Sequence, residues 1–582
     1  MGANKPGGFY ETRMITSLKD MLKSSVDLYG ERPAFLVKKE KAGEYQDIKY
    51  KQLKNDVDAL GTKLIEMGLD GSRIAIIGEN CYEWFSTYLT VVNGVGVIVP
   101  LDKELNKEEI FNLLNSSACS AVFFTDTYED IFRDYDVQYK IRMKVYGDRT
   151  DSSESLNILN ESDGILQWQN LVAAGEALLS GGNRNYIDRI IDPDKMAMLL
   201  FSSGTTGTPK GVMLCHRNIS CNIMDVRRIV KVYPEDRTLS ILPIHHTFES
   251  TIGILTILYS GGSIAFYEGL KYISKNLAEA KATLLVGVPL IFESIYAKIW
   301  KQAEKTGKAS ALKKAIKLSR ILKSVGISAE RKLFSPVYET FGGKLRMMVT
   351  GAAAIDPAVC RGFESMGIRV VQGYGLTECS PLVTGTPDFG DTYKKAGSVG
   401  PVVASGELRI IDKDEDGVGE IIFRGPNVMQ GYYNMPEETS RVIRDGWFHT
   451  GDLGYLDADG WLYLTGRKKN VIVTKTGKNI YPEEVEFYVN RNKYIQESLV
   501  HGIEEGSEEG TTVGVQVIPA YDVIYEEFGP DFSEENITSL IKRAISDINE
   551  KLPIYKRIRK ISIRKDEFIK TTTKKIQRHK NI

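Results

Sequence analysis

Cysteine is scarce in this chain and never closely spaced. Cys81, Cys119, Cys215, Cys221, Cys360 and Cys379 are its six cysteines, and no two form a Cys-x-x-Cys pair. That pattern gives neither a zinc motif nor a disulfide framework and points to reduced thiols. Long apolar runs are missing too: none reaches the ~20 residues of a membrane span, and Met1 to Tyr10 lack the apolar stretch of a secretory signal, so none is expected. No excess of charge exists, since 75 Lys and Arg against 76 Asp and Glu leave −1, and nothing global points to nucleic acid or an acidic partner. Internal repeats and low-complexity tracts are also absent. What remains reads as an ordinary globular chain, 42% hydrophobic and 26% charged, with a cytoplasmic location expected and room for about four compact units.

From about Thr16 to Val286, helical patterns alternate with short apolar runs such as Ile74–Ile77, Val95–Leu101 and Leu284–Val288. Runs of that length between helices read as buried parallel strands, so an α/β architecture is expected. A helix is expected over Glu104–Ser117, a strand over Ser120–Thr125, and an irregular excursion over the polar residues 147–185. Glu407–Ile411 and Gly419–Arg424 flank the acidic turn Asp412–Gly417 like a hairpin. Further strands are expected at Trp461–Thr465 and Val471–Thr474, with a boundary near Gly466 to Asn470.

Residues 298–332 stand apart. Eleven Lys or Arg face only Glu304 and Glu330, and Leu312, Ile316, Leu318, Ile321 and Leu322 interleave. A basic amphipathic helix of this kind suits peripheral contact with an anionic membrane surface. It equally suits a solvated helix packing its apolar stripe on its own domain.

Chemistry concentrates after the apolar run Met196 to Phe201. Ser202-Ser203-Gly204-Thr205-Thr206-Gly207-Thr208-Pro209-Lys210-Gly211 combines hydroxyls, free turn amides and a cation, which is a polyphosphate cradle by composition. It is not a Walker A loop, because no Gly-Lys-Ser/Thr triplet closes it. Downstream, Gly373-Tyr374-Gly375-Leu376-Thr377-Glu378 offers close backbone approach, a flat ring for a purine and a hard oxygen for Mg²⁺. Thr350-Gly351-Ala352-Ala353-Ala354 follows the apolar run Met347–Val349. Asp452, in Thr450-Gly451-Asp452, can accept from both hydroxyls of a ribose.

These segments, in this order, resemble the adenylate-forming (AMP-binding) enzymes. The block Asp445 to Glu486 and the segment His245-His246-Thr247-Phe248-Glu249 are similar to fatty acyl-CoA synthetases, especially the long-chain ones. The resemblance implies a large N-terminal domain, 1–466, of parallel-rich sheets flanked by helices, with a small β-barrel-like subdomain. It also implies a small mobile α+β C-terminal domain, 467–582, with its hinge near Lys469. It assigns ATP phosphates to Ser202, Ser203, Gly204, Thr205, Thr206, Gly207 and Lys210, and the adenine to Gly351, Ala352, Ala353, Gln372, Gly373, Tyr374 and Gly375. Thr377 falls on the α-phosphate, Glu378 and Thr205 on Mg²⁺, and Asp452 and Arg467 on the ribose. Lys469 joins the nucleotide-binding set. The tail Lys570-Thr571-Thr572-Thr573-Lys574-Lys575-Ile576-Gln577-Arg578 matches the family's catalytic-lysine motif with Lys575 as that lysine, and Lys574 stands where the family has Gly. Thr205, Lys210 and His246 complete the implied catalytic set, with His246 near the acyl carboxylate. Gly466 stands where the family usually has Asp.

The implied reaction joins a fatty acid, ATP and coenzyme A through an acyl-AMP intermediate. An acyl-AMP ligase serving a carrier protein, a ligase for aryl acids and a non-enzymatic binding protein are the competing readings. The sequence leaves chain length and a homodimer open.

Overall fold

The computed structural model describes residues 9–146, 164–202, 209–474, 478–504, 511–570 and 576–582. The chain divides into two compact units: Met1–Glu407 with Arg424–Gly446, and Leu408–Phe423 with Trp447–Ile582.

The first unit is built on two parallel-rich sheets of eight described strands each. One runs in the order Leu382–Gly385, Arg369–Gly375, Met347–Thr350, Leu284–Gly287, Arg237–Ser240, Ser263–Phe266, Pro33–Lys38 and Tyr45–Lys49. Only its two edge pairings are antiparallel. The other runs Gly431–Tyr432, Lys210–Cys215, Met196–Ser202, Val97–Pro100, Arg73–Ile77, Ala121–Thr125, Tyr139–Met143 and Ile165–Gln167. Parallel strands of one sheet need crossover connections, which helices such as Tyr82–Thr90 and Lys107–Ser117 supply. The strands these helices cover are apolar on both faces: Ile74 to Ile77 and Ala121 to Phe124 are fully buried.

Local chemistry sets the boundaries. The helix expected from Glu104 begins at Lys107, because Asn106 caps it reciprocally with Glu109. The excursion expected over 147–185 is partly regular, since Ile165–Gln167 is an edge strand and Trp168–Ser180 a helix. Trp168, Leu171, Val172 and Gly175 form that helix's buried face.

The basic segment forms two helices, Pro289–Lys305 and Ala309–Ser324. Leu312, Ala315 and Ile316 pack on the core beneath the first sheet, and the buried Ser319 hydroxyl donates to the Ser365 carbonyl at 2.7 Å. The apolar positions therefore divide. Leu312 and Ile316 turn inward, while Leu318, Ile321, Val325 and Ile327 are exposed. No helix among the described residues is long and apolar enough to cross a membrane.

In the second unit the expected hairpin is present. Glu407–Ile411, Gly419–Arg424, Trp447–Leu456 and Leu462–Arg467 lie side by side in one sheet. Among the described residues this sheet does not close, so the barrel-like subdomain is an open antiparallel sheet. A three-stranded sheet follows, Ile495–Glu504, Thr511–Pro519 and Ile558–Ile563, covered by Pro482–Val489 and Glu534–Asn549 around an aliphatic core.

Candidate active site

The hydroxyl-rich loop joins two antiparallel strands, Met196–Ser202 and Lys210–Cys215, with Ser202 opposite Lys210. Ser203, Gly204, Thr205, Thr206 and Gly207 lie outside the described residues. At its two ends the Ser202 hydroxyl donates to the Lys210 carbonyl at 3.4 Å. Lys210 Nζ pairs with Glu438 at 2.7 Å and stands 5.1 Å from the ring centre of Tyr432. The Tyr432 hydroxyl in turn donates to Glu378 Oε1 at 2.9 Å. Burial, reinforced by the Glu378 charge, raises the Tyr432 phenol above its ordinary value, so it stays a donor.

The loop lysine and the carboxylate assigned to Mg²⁺ are thus brought together through Tyr432, a residue the sequence did not single out. Tyr432 reaches them because Gly431–Tyr432 adds as a strand on Lys210–Cys215. The half-buried Glu378 carboxylate is oriented through Oε1, and Oε2 remains as a hard donor. This arrangement fits Mg²⁺.

Beside them lie the ends of two adjacent parallel strands. Thr350 pairs with Gln372, so Gly351, Ala352 and Ala353 follow one strand while Gly373, Tyr374 and Gly375 complete the other. Ligands of open α/β sheets bind at such carboxyl ends. A Cβ on Gly375 would lie 2.0 Å from the Pro381 carbonyl oxygen, so this position needs glycine. Ala352 is held at φ +69°. Gln372 is buried, with its N–H donating to Thr386 Oγ1 at 2.7 Å. Tyr374 is buried as well, and Thr377 and Glu378 begin a short 3₁₀ turn.

His246 sits in the same unit. Its ring centre lies 3.9 Å from that of His245. Asn80, also unforeseen, fixes the segment before it, donating to the Leu242 carbonyl at 2.7 Å and accepting from the Ile244 N–H at 3.3 Å. Phe248 follows in a π-helical turn, Phe248–Leu255, and its ring tip would be 3.3 Å from a Cβ on Gly351, which joins the histidine segment to the Gly351–Ala353 segment. Burial pushes the Glu249 carboxyl up to about 8. Of the apolar side chains that could line an acyl tunnel, Val286 and Phe292 are core residues while Leu290 is 71% exposed.

Within the second unit, Asp452 and Arg467 meet. They are directly opposite on neighbouring strands, and Arg467 Nε lies 2.7 Å from Asp452 Oδ1. Lys469 follows in the turn Lys468–Asn470. Its ammonium is lowered by desolvation and by the Arg467 and Arg578 charges. At the unusual Gly466, a Cβ would stand 2.6 Å from Glu483 Oε2, the end of a side chain that would have to move aside. Lys575 lies outside the described residues, as do 475–477. Its flanks are anchored, with Lys570 on Glu497 at 2.7 Å and Arg578 on both oxygens of Glu486 at 2.6 Å.

A family model described as AMP-binding enzyme matches residues 22–433. The chain belongs to the AMP-binding enzymes. Long chain acyl-CoA synthetase 6, peroxisomal, of Arabidopsis thaliana is 31% identical over 483 residues, covering 79% of this chain and 67% of that protein. The long-chain-fatty-acid–[acyl-carrier-protein] ligase AEE15, chloroplastic, of the same plant is 26% identical over 597 residues, 90% of this chain and 79% of its own. Among solved structures, ATP-bound MatB from Rhodopseudomonas palustris superposes with TM-score 0.72 at 25% identity, over 97% of this chain and 98% of that one. The adenylate-forming fold and family read from the motifs therefore hold, with long-chain acyl-CoA ligases among this AMP-binding enzyme's relatives.

Proposed function

We propose that this AMP-binding enzyme activates a medium- or long-chain fatty acid with ATP and transfers it to coenzyme A. The observation that carries the reading is the Lys210–Tyr432–Glu378 grouping beside the Gly351–Ala353 and Gly373–Gly375 strand ends, which suits a nucleotide polyphosphate. The names of several relatives support a fatty acid as the substrate.

Attack of a carboxylate on the α-phosphorus joins two anions and is opposed until charge is neutralised. Lys210 faces the phosphates, Thr377 positions the α-phosphate, and Asp452 with Arg467 orients the ribose. Bound Mg²⁺, held by Glu378 and Thr205, would neutralise phosphate oxygens. His246 holds the acid. The acid oxygen bonds to the α-phosphorus as the bond to pyrophosphate breaks. In the second half-reaction the CoA sulfur bonds to the acyl carbon, its proton goes to solvent, and AMP leaves. In this reading Lys469 is the hinge about which the C-terminal part turns between the two steps.

AMP release should be measured over acids from acetate through C18 fatty acids and benzoates, with and without CoA. The expected result is CoA-dependent turnover peaking at a medium- or long-chain fatty acid. A peak at benzoates overturns the substrate class. Pyrophosphate release with acyl-AMP accumulating whether or not CoA is present favours transfer to a carrier protein instead.

The outward face of Ala309–Ser324 adds a location. Exposed Leu318 and Ile321 lie among Lys313, Lys314, Lys317, Arg320 and Lys323, a pattern that suits the surface of an anionic bilayer, where each basic residue contributes about 1 kcal/mol. Co-sedimentation with phosphatidylglycerol vesicles, weakening as salt rises and absent on phosphatidylcholine, is expected. The double variant Leu318→Asp, Ile321→Asp should abolish it, and retention would sink the membrane reading.

A further inference from the structure

The AMP-forming reaction leaves Asp102 and the buried His245 without a task, although both stand beside the His246 it uses. Asp102, His245 and His246 each offer a ligand atom, and these atoms all lie within 4.8 Å of one another. His245 is only 5% exposed, and its Nε2 has no hydrogen-bond partner. A buried polar atom left unpaired costs about 1–3 kcal/mol, so the fold retains it against a penalty. That nitrogen faces Asp102 Oδ2 at 3.6 Å. The carboxylate is itself oriented: the Glu104 N–H donates to its Oδ1 at 3.0 Å, which turns Oδ2 toward the imidazole. On the other side, the His246 N–H donates to the Pro243 carbonyl at 3.1 Å, and the two contacts of Asn80 fix the backbone just before the histidines.

We propose that Asp102, His245 and His246 form a site for a borderline divalent transition ion, Zn²⁺ being the natural occupant, distinct from the Mg²⁺ position at Glu378. Two imidazoles and one carboxylate are the donor set that Zn²⁺ accepts in open sites, and they do not suit Mg²⁺, which prefers oxygen and retained water. Three protein ligands leave a fourth position for water. The ion engages the His246 imidazole, so its arrival withdraws that side chain from other partners. Zn²⁺ is then an inhibitor of acid activation, competing with the acid; this second statement rests on the role given above to His246, whereas ion binding does not.

The two statements are tested apart. Binding is read with Co²⁺ added to the chelator-treated full-length protein, in the absence of acid, ATP and CoA. One equivalent should produce the visible d–d bands of low-coordinate Co²⁺, and added Zn²⁺ should erase them. Asp102→Asn keeps the shape of the side chain but removes its charge, and His245→Gln removes the unpaired nitrogen. Each should weaken Co²⁺ by at least the ~10–100-fold that loss of even an outer partner of a metal ligand costs. If His245→Gln does not fold, Asp102→Asn carries the test alone. Absence of the bands in the unaltered protein, or bands of unchanged affinity in every folded variant, overturns the site. Inhibition is read separately as the Zn²⁺ concentration that halves AMP release, which should rise with acid concentration and in Asp102→Asn. Binding without inhibition would leave the ion site standing and remove the role given to His246.

Discussion

Lys575→Ala is expected to lower acyl-AMP formation by about 10²–10³-fold, the usual consequence of removing one group that stabilises developing charge. Thioester formation from synthetic acyl-AMP and CoA should be spared, because the α-phosphorus no longer reacts in that step. The substitution is a clean one. Lys570 is tied to Glu497, Ile576 packs with Leu499, Ile518 and Phe568, and Arg578 grips Glu486 while donating to the Val500 carbonyl at 2.7 Å. Both flanks therefore stay in place when the lysine side chain is cut back. Lys574→Ala, one residue away, should change exchange little. ATP–pyrophosphate exchange reports the first step and CoA consumption from acyl-AMP the second; an equal fall in both, or a larger effect from Lys574→Ala, contradicts the assignment to Lys575.

Glu249→Gln should stabilise the protein most at high pH. Glu249 is 1% exposed, and its Oε2 has no hydrogen-bond partner. Gly253 is what leaves room for it, since a Cβ there would stand 2.8 Å from that oxygen. Burial raises the carboxyl from 4.5 to about 8, so the folded chain keeps a proton that the unfolded chain gives up. Stability from this group is complete below about pH 4.5 and is lost as pH rises toward about 8, at up to ~1.4 kcal/mol per pH unit. The total is a few kcal/mol, with its greatest loss near pH 8. Glutamine fills the same volume and does not titrate. Denaturation between pH 5 and 8.5 should show the unaltered protein losing stability along that range while Glu249→Gln is flatter and more stable at the upper end. Parallel curves for the two would mean that Glu249 titrates normally.

The parts of the fold that can be read from sequence are those governed by local pattern. Apolar runs of strand length mark Leu284–Gly287 and Met347–Thr350, and the acidic turn marks the hairpin after Glu407. The Trp168–Ser180 helix escapes such a reading because the polar stretch before it hides a buried face at Leu171, Val172 and Gly175. In the candidate site, glycines, hydroxyls and charges clustered within single motifs are visible. Tyr432 and Glu438 are not, because they reach Lys210 only through strand pairing between residues more than 200 positions apart. Asn80 and Asp102 are similar cases: a lone Asn or Asp after a strand has no sequence signal until the loops beside it close. The departure at Gly466 is legible, but its neighbour Glu483, on the helix Pro482–Val489, is not.

In the proposed reaction, the pairing of Lys210 with Glu438 would make the loop before Lys210 an exchange device. An ammonium that already has a carboxylate partner does not shed a full water shell when phosphate arrives; it changes partner. Its side chain is 19% exposed, so the exchange takes place where charge is weakly screened. Glu438 is not stranded by the change, since Arg441 contacts its other oxygen and keeps it neutralised. The contest is then decided by ligand charge. A triphosphate would outcompete one carboxylate easily, whereas a monophosphate would compete with it on nearly equal terms, so under the proposed function the contact that admits ATP would also help to let AMP go.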